Sequence, residues 1–297
     1  MKKILITGAG SYIGTSFDRY LKEKHPDQYE VDTVDMIDGG WRKKSFDGYD
    51  SVFHVAGIAH IKETKKNANL YYEINRDLAI ECATKAKQDA VSQFVFLSSM
   101  SVYGLCSGYI NSDVVPHPMT NYGKSKLEAE ERIKALASPS FAVAILRPPM
   151  IYGRGCKGNY NALRDVALKF PLFPKVDNAR SVLYINNLCE FVRSLIDDGK
   201  GGLYFPQNRE YMNTTDVAQL ICQYHGKIFH STKLFNPALL LLKNRLKVIE
   251  KSFGDLVYDM SMSEGQDKYC IVDTDTSIKE TEGSTNETEN IRFDERV

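Results

Sequence analysis

Through the first two-thirds of the chain, short apolar runs alternate with amphipathic stretches. KKILIT, YEVDTVDM, SVFHVAG, QFVFLSS and FAVAILRP read as strands, whereas SYIGTSFDRYLKEK, LYYEINRDLAIECATKAKQ and NYGKSKLEAEERIKALA carry helical periodicity. Runs such as FVFLSS and VAILRP are apolar at consecutive positions, as strands buried on both faces must be. This alternation predicts right-handed crossovers and an α/β fold with a doubly wound parallel sheet.

The texture changes after Pro148-Pro149. Residues 151–181 are rich in Gly, Asn, Pro and aromatics, which predicts irregular structure around a pocket. VLYINNLCEFVRSLIDDG then predicts helix, GGLYFPQ strand, and TTDVAQLICQYHG a helix capped by Thr214 or Thr215. FNPALLLLKNRLKVIEKSFG predicts a buried helix of a small second domain, with an oligomer or membrane-surface contact as the alternative. KETEGSTNETEN lacks apolar residues, so a disordered tail is expected from about Glu280.

Composition narrows the class. The 297 residues suffice for one large domain or two joined ones. With 38 basic and 38 acidic residues, no global field favours nucleic acid or an anionic membrane. The six cysteines are scattered without a Cys-x-x-Cys pair, so buried thiols are expected rather than disulfides or a metal site. The apolar run after Lys2-Lys3 is too short for a signal peptide, and no stretch approaches the roughly 20 apolar residues of a membrane span. A cytoplasmic protein is expected.

Between the first strand and first helix stand Thr7-Gly8-Ala9-Gly10-Ser11-Tyr12-Ile13-Gly14. Glycines at such a turn let backbone N–H groups approach a pyrophosphate at a helix N-terminus. Asp35 closes the next strand, where a carboxylate can bond a ribose 2′-hydroxyl, which favours NAD over NADP. Arg42, Lys43 and Lys44 could accept a 2′-phosphate, though a solvated loop is the plainer reading.

Tyr122 and Lys126 lie one helical turn apart at the start of a helix. A tyrosine titrates near pH 10, so work as a base at neutral pH needs about 4 kcal/mol of help, which a lysine can supply in part. Tyr20 and Lys24 share the spacing but sit inside the first helix, and a surface position is expected for them. Ser98 and Ser99 end a strand, at the edge where ligands bind in open parallel sheets.

In order, TGAGSYIG, HVAGIAH, Asn75, FVFLSSMSVYG, YGKSK and LRPPMIYG resemble the motifs of the extended short-chain dehydrogenase/reductases, the nucleotide-sugar epimerase/dehydratase group. The resemblance covers roughly residues 2–260 and implies a Rossmann domain at 1–152 and 182–207. It implies a substrate domain at 153–181 and 208–262, with 263–297 as tail. It also implies NAD, with NADP as alternative, held by Gly8, Gly10, Ser11, Tyr12, Ile13, Gly14, Asp35, Ala56, Gly57, Tyr122 and Lys126. Ser99, Tyr122 and Lys126 would be the catalytic triad: Tyr122 the acid/base, Lys126 on the cofactor ribose, Ser99 orienting the reacting oxygen.

Met100-Ser101 replaces the Asp-Glu pair of the dehydratases, which argues against 4,6-dehydration. RPPMIYG, KGNYN and ARSVLYINNL resemble a capsule and O-antigen subgroup acting on UDP-sugars. That resemblance makes Ser99, Met100, Asn159 and Arg180 substrate-binding candidates, slightly favours 4-keto reduction over 4-epimerisation, and implies surface polysaccharide synthesis. It further implies a homodimer built on helices around residues 70–88 and 122–137.

Overall fold

The computed structural model describes residues 1–59, 61–237, 250–251 and 253–283. Most of the predicted FNPALLLLKNRLKVIEKSFG helix lies outside the described residues.

Six parallel strands form the central sheet, in the spatial order Gly202–Tyr204, Ala142–Leu146, Gln93–Leu97, Ser51–His54, Lys2–Thr7, Tyr29–Val34. The strand order reverses between Lys2–Thr7 and Ser51–His54, the place where open parallel sheets bind ligands at the strands' C-terminal ends. Only the short helical turn Gly40–Lys43 separates the second strand from the third, so the chain returns directly across the first strand.

Period-two alternation sorts the strand residues onto two cores. Ile4, Ile6, Phe53, Val95, Leu97, Ala144 and Leu146 pack with Phe17 and Leu21 of helix Tyr12–Lys24 and Leu188 and Val192 of helix Ile185–Asp198. Leu5, Val52, Phe94, Phe96, Val143 and Ile145 face Ala83 and Ala86 of helix Ala79–Gln88 and Ala129 and Ile133 of helix Asn121–Lys134. The alanines let these two helices lie close to a sheet face crowded with phenylalanine.

Several local expectations need correction. Val182–Tyr184 is a strand paired with Met150–Tyr152, and helix begins only at Ile185. Helix Thr214–Tyr224 is capped by Asn213, whose side chain accepts from the N–H groups of Thr215 and Asp216. The stretch expected as tail contains the helix Thr274–Glu282, with Ser277 and Ile278 fully buried. Its polar residues have partners in the body: Tyr184 bonds Glu280, Tyr160 bonds Glu282, and Tyr152 bonds Ser277. Polarity here marks hydrogen bonds to buried tyrosines, which composition alone cannot distinguish from solvation. The described cysteines are all free thiols, five buried and Cys106 half-buried.

Candidate active site

The glycine loop is built for close approach. Gly8 has φ +85°, and a Cβ there would stand 3.0 Å from both N and Cα of Ala56. Val34 Oxygen accepts from Gly8 N at 3.0 Å and Ala9 N at 3.2 Å, which sets Asp35 directly beside the loop. Ser11 caps helix Tyr12–Lys24 by accepting from Gly14 N at 3.2 Å. Asp35 is exposed, accepting from Ile37 N at 2.8 Å. Among the three basic candidates, Arg42 is bound by Glu81 through two hydrogen bonds and lies over the Trp41 ring.

Next to Ala56, Gly57, Asn75 and Lys126 converge. A Cβ on Gly57 would lie 2.8 Å from Asn75 Oδ1 and 3.3 Å from Lys126 Nζ. Asn75 is fully buried in the π-helical turn Glu73–Leu78, a local widening often found at functional sites. Its carboxamide accepts from Ile58 N at 2.8 Å and donates to Ile58 O at 3.0 Å. It also donates to Ser125 Oγ at 3.4 Å, and Ser125 donates to Tyr122 O at 2.9 Å. Exposed Gly10, the capped helix start at Ser11 and exposed Asp35, packed against Ala56 through Gly8, fit a dinucleotide.

Thr120 caps helix Asn121–Lys134 by accepting from Gly123 N, so Tyr122 and Lys126 occupy its first two turns. Tyr122 is half-buried, with Tyr71 edge-on at 6.5 Å between ring centroids. Burial pushes its phenol above the usual range, and a hydrogen bond with Ser99 pulls it back down. The ammonium of Lys126 is instead drawn to Leu97 O at 2.9 Å and over the Phe96 ring at 4.8 Å. Ser99 also accepts from Ser101 N at 3.1 Å.

Lys126 is 5% exposed, and burial lowers its pKa to about 8, with Glu130 one turn on acting to raise it. The unfolded chain therefore holds this proton between about pH 8 and 10.5 when the folded chain has released it. Stability then rises with pH across that window. Relative to Lys126→Met, the wild type should recover about 3 kcal/mol between pH 8 and 10.5. Urea unfolding at several pH values measures it; a constant difference would contradict the burial argument.

The second Tyr-x-x-x-Lys departs from expectation in one half. Lys24 is exposed, but Tyr20 is 5% exposed in the core, donating to Glu190 Oε2 at 2.8 Å. Met100 is buried, its N–H donating to Pro148 O at 2.9 Å. Arg180 is half-buried and donates to Gly254 O at 2.8 Å, with its charge disfavoured by burial and favoured by Asp255. Asn159 is exposed at the start of helix Asn159–Lys169, and no hydrogen bond among the described residues joins it to the Tyr122 group.

Sequence reasoning missed the buried group behind this site. Ser98 donates to Glu130, whose carboxylate holds Arg147 at 2.6 Å, and Arg147 donates to Tyr103 Oη at 3.0 Å. Glu130 falls four residues after Lys126, a position that in sequence reads as an exposed helical acid.

Residues 4–230 match the NAD dependent epimerase/dehydratase family. The UDP-glucose 4-epimerase of Vibrio cholerae is 32% identical over 224 residues, covering 67% of this chain and 68% of that protein. The N-acetyl-alpha-D-glucosaminyl-diphospho-ditrans,octacis-undecaprenol 4-epimerase of Escherichia coli O157:H7 is 26% identical, covering 84% and 81%. In fold, the chain resembles the UDP-glucuronic acid 4-epimerase of Bacillus cereus in complex with NAD, with a TM-score of 0.73, 18% identity, and coverage of 94% and 95%. With the doubly wound sheet, the glycine loop and the ordered motifs all in place, the chain belongs to the NAD dependent epimerase/dehydratase family of extended short-chain dehydrogenase/reductases.

Proposed function

We propose that this protein is an NAD-linked 4-epimerase of a nucleotide-bound hexose, with Ser99, Tyr122 and Lys126 as its catalytic residues. The observation that carries the reading is the convergence of Gly57, Asn75 and Lys126, one turn after Tyr122 on the same helix, next to Ala56, which packs against Gly8 of the glycine loop. Tyr122 moves the proton of the sugar 4-hydroxyl, and Ser99 holds that oxygen in place. Bound NAD would supply the hydride acceptor for C4 and, after the 4-keto sugar turns over, the hydride donor to its opposite face. Lys126, one turn after Tyr122, holds the ribose.

Cofactor choice separates epimerisation from reduction. Asp35 is an exposed carboxylate where a 2′-phosphate would be repelled, and Arg42 is already held by Glu81. An epimerase that takes and returns one hydride has no need of the NADPH pool. These points, with relatives named as 4-epimerases, outweigh the slight preference for reduction drawn from RPPMIYG and its neighbours. Asp35→Ala should weaken NAD about ten-fold or more by removing a charge-assisted hydrogen bond, as titration calorimetry can read. Unchanged NAD affinity would remove the argument for NAD.

The direct assay offers UDP-glucose, UDP-N-acetylglucosamine and the diphospho-undecaprenol-linked sugar without added cofactor. Gluco/galacto interconversion is expected. Stoichiometric oxidation of added NADH or NADPH with a 4-keto sugar, and no interconversion, would establish the reductase instead. Arg180 and Asn159 belong to this proposal as ligands of the nucleotide-sugar's diphosphate and uridine, and surface polysaccharide synthesis as its setting.

A further inference from the structure

Residues 166–175 and 227–236 form one face beyond the sheet. Leu172–Pro174 pairs in parallel with His230–Thr232, Lys227 donates to Leu168 O at 2.6 Å, and Asn236 donates to Lys175 O at 2.9 Å. Beneath it, Phe173 contacts Phe229 and Phe253, with ring centroids 5.8 and 6.1 Å away. The outward side is apolar: Val166, Phe170, Leu172, Ile228, Leu234 and Phe235 are all exposed, Ile228 by 81% and Leu234 by 78%. These twenty positions hold six of the fifteen large apolar side chains exposed among the described residues, so the exposure is clustered, unlike ordinary single surface apolars.

Charge indicates what covers the face. The same twenty positions contain exposed Lys169, Lys175, Lys227 and Lys233 and no Asp or Glu, in a chain whose net charge is zero. Exposed Asp165, one turn before Lys169, and exposed Asp177, two residues after Lys175, mark the boundary. The sequence that follows Pro237, ALLLLKNRLKVI, continues the same composition, apolar and basic without an acid. Apolar side chains interleaved with lysines match the acyl boundary and phosphate headgroups of an anionic bilayer.

We propose that this face docks the protein on an anionic lipid bilayer. The inference does not depend on which sugar reaction the crevice performs, because vesicle binding is read without turnover. Among the described residues no helix is long and apolar enough to cross a membrane.

The test is co-sedimentation of the full chain with vesicles of phosphatidylglycerol and phosphatidylcholine in equal parts, against phosphatidylcholine alone. Binding to the anionic vesicles is expected, weakening as salt rises. Lys169→Gln and Lys233→Gln should each weaken it about five-fold, and the Ile228→Glu/Leu234→Glu variant should abolish it. All three should melt as the wild type does, since every altered side chain is exposed. Equal binding to neutral vesicles, binding to neither, or equal binding by wild type and variants would overturn the proposal. So would a dimer in sedimentation that Ile228→Glu/Leu234→Glu dissolves without any vesicle binding, because the face would then meet a second copy of this chain.

Discussion

Tyr122→Phe should lower turnover by about 10²–10⁴-fold while leaving NAD affinity nearly unchanged. The substitution removes one oxygen from a half-buried ring and keeps its edge-on contact with Tyr71, so the helix start should not shift. What disappears is the only group in the proposed triad that can exchange a proton with the sugar oxygen. Ser99→Ala acts on the same proton from the other side. It removes the hydrogen bond that pulls the phenol down, and burial, helped by Tyr71, then pushes the phenol further up. The alkaline rise of the pH–rate profile should therefore move to higher pH in Ser99→Ala. A Tyr122→Phe enzyme that still turns over at a tenth of the wild-type rate would mean that another group carries the proton.

The same residues show how far sequence reaches. The sheet was legible because strands buried on both faces leave continuous apolar runs, and FVFLSS and VAILRP became adjacent inner strands. Tyr122 and Lys126 were singled out by their place after a loop, and the structure puts both at the start of a capped helix. Tyr20 misled because a hydroxyl on an amphipathic helix looks solvated, while its partner Glu190 is 170 residues away. Asn75 could be read only by resemblance: the π-helical turn that aims it at Ile58 leaves no mark in spacing. Partners far apart in sequence, like widened helical turns, are set by tertiary packing, which periodicity does not record.

Glu130 and Arg147 carry the largest expected effect on stability, and Arg147→Met should cost about 3–5 kcal/mol. Their side chains are 4% and 9% exposed. Burial works against the charge on Arg147, but Glu130 and Tyr103 outweigh it and hold its pKa above the usual value. Removing the guanidinium leaves the Glu130 carboxylate buried with the Ser98 hydroxyl as its remaining strong donor. Removing both charges, in Arg147→Met/Glu130→Leu, should cost less than Arg147→Met alone, because no uncompensated ion remains. Urea unfolding with unchanged m values measures both. Catalysis should respond in the opposite order. Glu130 is also the charge that counters burial at Lys126, so the double variant, without it, lets the lysine lose its proton at lower pH. A double variant that is more stable than Arg147→Met, yet loses activity at the alkaline end first, would tie the two effects to one carboxylate. Equal stability of the two variants would show that the pair contributes packing alone.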